Sequence, residues 1–195
     1  MAVRRTLLVS DNKLGHRLES ALLEAGCDVV ATVAPDHDFH SMAVAAQPKM
    51  LVIAVAEPRE SVFQQLARIN QDYPCAVVMF VENSQDKYTQ QAVKLGVGAY
   101  IVDGFVERRV KPLLEIAETR FSAIKQLQSE LDEARSALSD RKLIDRAKGL
   151  LMDKNHISEA QAFKALRSMA MQQNTKLADV ARGIVTMHSA LSEVK

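Results

Sequence analysis

Five short apolar runs rich in branched residues, Thr6–Ser10, Cys27–Thr32, Met50–Val55, Ala76–Val81 and Tyr100–Val102, punctuate the first half of the chain. Between them apolar residues recur at helical spacing, as at Leu14/Leu18/Leu22, Val62/Leu66/Ile69 and Ala92/Leu95. Strand alternating with helix predicts a parallel sheet. Right-handed crossovers then place helices on both faces, so an α/β, doubly wound, five-stranded sheet in residues 1–120 is the economical solution. Gly26 and Gly96 follow the last apolar positions of helical segments and are expected to stop those helices before the next strand.

Strand signals cease after Val106. Apolar residues recur every seven positions at Val110, Ala117, Ile124, Leu131 and Leu138, with a second register at Leu113, Leu127 and Ala134 that Arg120 interrupts. This is the seam of a coiled coil, expected over residues 107–139. Packing on the chain's own sheet would explain Val110 to Ala117 but leaves Ile124 to Leu138 uncovered, and a parallel homodimer covers it. Val110, Ala117, Ile124, Leu127, Leu131 and Leu138 are the expected dimer residues.

After Leu138 the apolar stripe shifts to Leu143/Ile144, Ala147 and Leu150/Leu151. Ser158-Glu-Ala-Gln161 is a capping box that opens a helix Glu159–Ala170, with Ala162, Phe163, Leu166 and Ala170 inward. Asn174 or Thr175 is the expected cap of a last helix whose inner face is Leu177, Val180, Ala181 and Ile184. Residues 140–195 should therefore form a three-helix bundle with a thin core that gains from dimerisation. They carry ten Lys and Arg against six Asp and Glu, within a chain of net charge +1. Such a local surplus permits nucleic-acid binding.

Composition excludes other classes. A chain with 48% hydrophobic and 25% charged residues can bury a core. Its longest apolar stretches, Met50–Ala56 and Cys75–Val81, are far below the roughly 20 residues of a membrane span. The N-terminal Met-Ala-Val-Arg-Arg-Thr lacks the apolar region of a secretion signal, so a cytoplasmic protein is expected. Cys27 and Cys75 are expected to be reduced core residues. His37-Asp-Phe-His40 is read as a solvated loop rather than a metal pair, and no metal or cofactor is expected.

The functional crevice of such a sheet lies at the carboxyl ends of its strands. Those ends are Ser10-Asp11-Asn12, Ala54-Val55-Ala56, Val81-Glu82 and Val102-Asp103-Gly104. The order, the length and the Leu-Val-Ser-Asp turn resemble the flavodoxin-like receiver domain of two-component response regulators. Phosphorylating an aspartate with magnesium needs several carboxylates, a nucleophile, a hydroxyl and a lysine. The receiver pattern would take them from these ends, yet only Asp11 matches. Ser10 replaces the second acid, Ala54 the acceptor, Val81 the hydroxyl residue and Asp103 the lysine. Ser10 and Asp11 are then the remnant of an acidic pocket, with Asp11 capping the helix that begins near Lys13. Glu57 is a weak substitute acceptor. No glycine-rich phosphate loop or dinucleotide fingerprint occurs, and no enzyme is expected.

The C-terminal region carries Ile144-Asp-Arg-Ala-Lys-Gly-Leu-Leu-Met152, Ser158 to Phe163, Leu166-Arg-Ser-Met-Ala-Met171 and Leu177-Ala-Asp-Val-Ala181. These residues resemble the ANTAR domain, an RNA-binding module of transcription antiterminators, whose Ala-Lys-Gly-[Leu/Ile]-[Leu/Ile]-Met core stands at Ala147–Met152. The succession of pseudo-receiver, coil and ANTAR domain is similar to the amidase and nitrate-assimilation antiterminators (AmiR-like). Gly96 to Gly104 and Glu107 to Leu113 are most similar to the NasT-type nitrate/nitrite regulators. The resemblance implies antitermination at tandem hairpins in a leader RNA, a nitrate/nitrite assimilation operon, and control by a NasS-like ligand-sensing protein rather than by aspartate phosphorylation.

Eight cations could contact RNA: Arg141, Lys142, Arg146, Lys148, Lys164, Arg167, Lys176 and Arg182. Lys148 followed by Gly149 is the leading candidate, since a cation beside a residue lacking a side chain permits close approach. Tight helix packing is the alternative use of Gly149. Ala147, Leu150, Leu151, Phe163, Leu166, Ala170 and Val180 are expected in the core, and with Phe163 the lone aromatic of the bundle, stacking on bases is not expected to dominate. A DNA-binding response regulator or a scaffold without nucleic acid are the competing classes. The first would need a polar recognition helix that Leu177–His188 hardly supplies.

Overall fold

A computed structural model describes residues 4–192, and the side chains of these except 12–14 and 190–192. The readings of Met1–Val3 and of the Leu14 side chain lie outside the described residues. The chain divides into two compact units, Met1–Lys125 and Gln126–Lys195.

The first unit is a parallel sheet of β1 (Arg4–Ser10), β2 (Cys27–Val33), β3 (Met50–Val55), β4 (Ala76–Val81) and β5 (Ala99–Ile101), in the order β2-β1-β3-β4-β5. It is interleaved with α1 (Asn12–Glu24), α2 (Phe39–Ala46), α3 (Glu60–Asp72) and α4 (Asp86–Lys94), and is followed by the long α5 (Glu107–Asn155). Side chains alternate between faces along each strand. Leu7, Val9, Leu51, Ile53, Val55, Val77 and Met79 meet α2, α3 and α4 on one face. Leu8, Val52, Ala54, Val78 and Phe80 meet α1 and the first turns of α5 on the other. Gly26 and Gly96 close α1 and α4 at φ 80° and 72°, left-handed conformations that cost glycine nothing.

Several expectations change. The strand β1 includes Arg4 and Arg5 ahead of the expected Thr6, both in register with β2, and Arg4 Nε donates to both carboxylate oxygens of Glu118 on α5, at 3.0 and 2.9 Å. The strand β5 begins one residue early, at Ala99, and Val102 lies beyond it. His40 is no loop residue: it is buried in α2, with Nε2 at 2.7 Å from Asp72 Oδ2 and a buried Nδ1 that has no partner. His37 remains exposed beside Asp36. Both cysteines are free and buried, and burial pushes the Cys75 thiol up to about 12.

Val110 and Ala117 do not belong to a dimer seam. Both are fully buried, together with Leu114, against their own sheet. Arg120 interrupts the second register because its Nη1 donates to the Gly98 carbonyl at 2.9 Å. Gly98 itself abuts this helix: a Cβ built there would lie 2.8 Å from the Ala117 Cα. Gly98→Ala should therefore push α5 off β5 and destabilise the first unit by about 1–3 kcal/mol. An unchanged thermal unfolding midpoint would refute that contact.

The second unit packs the last turns of α5 against α6 (Glu159–Gln173) and α7 (Leu177–Ser192). Its core is Ala147, Leu166, Ala170, Val180, Ala181 and Val185, flanked by Leu143, Ile144, Leu150, Leu151, Leu177 and Ile184. The Ser158 box is formed as expected, with Ser158 Oγ accepting from Gln161 N and the Gln161 side chain returning to Ser158 N. Two expectations fail. Asn174 does not open the last helix but closes α6, at φ 50°, with its N–H on the Ala170 and Met171 carbonyls. Phe163 is not core: it is 42% exposed. The buried stripe of α6 runs Ala162, Leu166, Ala170, a four-residue step that leaves Phe163 on its flank.

Candidate nucleic-acid interface

The cations of the second unit fall into two groups. Lys148 and Arg182 are engaged. Lys148 Nζ donates to Asp145 Oδ1 and Glu159 Oε1, both at 2.7 Å, and its side chain is only 16% exposed. It ties the last turns of α5 to the first turn of α6. Arg182 pairs with Asp179 at 3.3 Å and lies 3.8 Å from Asp140. Arg141, Lys142, Arg146, Lys164, Arg167 and Lys176 are exposed and form no ion pair among the described residues. The leading sequence candidate is thus a strut with its charge compensated, and the available charge lies beside it.

Mutual hydrogen bonding holds the Asp145 carboxyl below its ordinary 3.8 and the Lys148 ammonium above its ordinary 10.5. The Asp145 share of stability is present above the ordinary carboxylate value and lost as pH falls through the lower folded one. The Lys148 share is present below its ordinary value and lost as pH rises through the higher folded one. Lys148→Met should therefore lower the unfolding midpoint at neutral pH, and the gap from the parent should close toward both pH extremes. A gap independent of pH would show that the pair contributes through packing alone.

Of the two sequence alternatives for Gly149, tight helix packing fails. A Cβ built on it meets nothing within 4 Å, so no close packing within the chain requires glycine there. Glycine inside a helix costs about 1 kcal/mol relative to alanine. Lys142, Arg146 and Gly149 follow one another at four and three residues, which puts two uncompensated cations on the helix face that glycine leaves bare.

A second exposed face lies on α6, and hydrophobicity alone concealed it. Phe163 is followed by exposed Lys164 and, one turn on, by exposed Arg167, with Met171 74% exposed a further turn away. The signal that locates it is the phase of Ala162, Leu166 and Ala170. On α5, Ile124 at the end of the first unit and Leu127, Leu131 and Leu138 in the second are 49%, 64%, 49% and 56% exposed.

The receiver-like positions of the first unit lie at or near the carboxyl ends of β1, β3, β4 and β5. Ser10 is buried with its hydroxyl on the Asp11 carbonyl at 3.0 Å, Ala54 and Val81 are fully buried, and Asp103 occupies a left-handed turn at φ 68°. Asp11 immediately precedes α1, and Glu57 is exposed. No described group of three or more His, Cys, Asp or Glu could hold a metal ion. No described helix is long and apolar enough to cross a membrane.

Residues 132–185 match the ANTAR domain family, from the exposed part of α5 through most of α7. The chain carries an ANTAR domain. Along 94% of its length it is 28% identical to the transcriptional regulatory protein PdtaR of Mycobacterium tuberculosis, covering 91% of that protein. Over 85 residues, 44% of this chain and 22% of the other, it is 36% identical to a nitrate regulatory protein of Klebsiella oxytoca. The sheet unit ahead of the ANTAR domain has a receiver fold. It is similar to the signal receiver domain of a modulated diguanylate cyclase from Desulfovibrio desulfuricans, with a TM-score of 0.52 and 13% identity over 60% of this chain and 96% of that one.

Proposed function

We propose that the chain is a dimeric transcription antitermination regulator whose two ANTAR bundles grip tandem hairpins in a leader RNA. The observation that carries the reading is the ANTAR match over the bundle, whose cations are largely exposed and uncompensated. Two α5 helices joined along Ile124, Leu127, Leu131 and Leu138 set the bundles side by side, one per hairpin. Gripping both hairpins stabilises a fold of the transcript that excludes the terminator. The names of both relatives support a regulatory role, and that of the Klebsiella protein supports a nitrate/nitrite assimilation operon. With alanine at position 54 the signal enters through a NasS-like ligand-sensing protein instead of through phosphorylation, and the regulator acts in the cytoplasm on the nascent transcript.

RNA contacts are assigned to Lys142, Arg146 and Gly149 on one face and to Phe163, Lys164 and Arg167 on another, with Arg141 and Lys176 at the margins. Lys148 and Arg182 shape the bundle. The test is binding of the purified chain to a tandem-hairpin RNA against duplex DNA of equal charge across a salt series. Selective binding to RNA, with affinity falling linearly on a log–log plot against salt, is expected. Arg146→Gln should flatten that slope by about 0.7–0.9, the value of one phosphate contact. Equal and weak binding to both polymers would overturn the reading.

A further inference from the structure

A crevice of about 750 Å³ in the first unit opens at the carboxyl ends of β1, β2, β3 and β4, where α3 and α4 begin. It takes in the acidic side of the receiver-like strand ends, since Asp11 also lines it, but not the acceptor position. Ala54 packs on the α1 and α5 side of the sheet, whereas Val55, which lines the crevice, points to the α2, α3 and α4 side. Its volume lies within the range of small-molecule sites. The floor is apolar, made by Val55, Ala56, Val62 and the edge of Tyr88. The floor is also held rigidly: Tyr88 stacks on Phe63 at 5.4 Å, and at the rim Ser84 Oγ lies 2.6 Å from the Tyr100 hydroxyl.

The rim carries both signs of charge, held apart. Asp11, Asp36 and Glu57 contribute carboxylates and Arg59 a guanidinium. His37, 3.1 Å from Asp36 Oδ1, is the main group holding the Asp36 carboxyl down and Arg59 adds to it, and neither Arg59 nor Glu57 enters an ion pair among the described residues. The residues preceding α3 and α4, Arg59 and Gln85, both line the crevice and neither caps its helix with a side chain. The starts of both helices therefore stand on the same rim, each with an acidic residue, Glu60 or Asp86, in its first turn. A simple anion would meet the carboxylates, and a simple cation would meet Arg59 and the helix ends. A molecule carrying both charges satisfies both sets.

We propose that this crevice binds a small zwitterion of the free amino-acid class, its carboxylate at Arg59 and the start of α3, its ammonium at Asp36 and Glu57, and its side chain on Val55, Ala56 and Val62. The site is independent of the RNA reading, since it lies wholly within the receiver-like unit.

Thermal unfolding of the full chain, followed in a panel of the common amino acids at millimolar concentration, tests this. Each is compared with the amine lacking its carboxylate and the acid lacking its amine. At least one amino acid should raise the midpoint of the receiver-like unit, by about 4 °C for each tenfold excess over its Kd, while its two halves leave it unmoved. Arg59→Gln, an exposed change, should abolish the shift without altering the ligand-free midpoint, and Ala56→Leu should abolish it by filling the crevice. An amine or an acid acting as well as the zwitterion, no shift from any amino acid, or a shift that survives Arg59→Gln would each overturn the proposal. RNA affinity measured on the same samples reports separately on the ANTAR reading.

Discussion

Lysine at both Leu127 and Leu131 should convert the chain to a monomer and weaken its binding to a tandem-hairpin RNA by about 10²–10⁴-fold, while leaving affinity for a single hairpin almost unchanged. The range is that of the gain from linking two binding events. The expectation rests on burial. Leu127 and Leu131 are 64% and 49% exposed, so charging them removes nothing from the core of either unit. In a parallel dimer the same changes bury four like charges along one seam, which desolvation and repulsion forbid. Such a seam would be shorter than the heptad pattern suggests, because Val110 and Ala117 are spent on the sheet and about two heptads remain. So short a coil should dissociate on dilution, and RNA carrying both hairpins should draw the dimer together. Sedimentation of parent and variant, with and without RNA, checks this. A monomeric variant with undiminished tandem-hairpin affinity would sink the two-bundle grip.

The fold was largely legible because periodicity is an intramolecular property. Strands buried on both faces, such as Met50–Val55, read as unbroken apolar runs, and the order of the sheet follows from strict alternation with right-handed crossovers. What escaped was decided by single contacts between distant residues. Arg4 looks like a poor strand residue until Glu118 meets it, and His40 looks like loop until Asp72 does. Nothing in Asp145, Lys148 and Glu159 as letters tells that three charges compensate one another across two helices. The ANTAR segment was legible, since the Ala147–Met152 string marks it, but which of its side chains are free to act was not. Charge marks a residue as available only when its neighbours are known, and Phe163 was assigned inward by its hydrophobicity when helical phase puts it on the flank.

That reassignment carries the second large expectation. Phe163→Ala should weaken binding of a hairpin loop about 10- to 100-fold, corresponding to roughly 1–3 kcal/mol for a base stacked on an aromatic ring. It should leave the salt dependence of binding unchanged, because no phosphate contact is lost. Arg167→Gln on the same face should do the reverse, costing less affinity at high salt than at low and flattening the slope. The two changes therefore separate a ring that reads an unstacked base from a cation that holds the backbone, and each controls for the other. Loops with an abasic position give an independent measure. If Phe163 stacks on one base, the parent should lose affinity at one loop position and Phe163→Ala should lose nothing further there, the non-additivity expected of partners in a single contact. Affinity of Phe163→Ala equal to that of the parent would place the RNA face elsewhere, on the Lys142, Arg146 and Gly149 side, and leave the half-exposed phenyl ring to contact a protein instead.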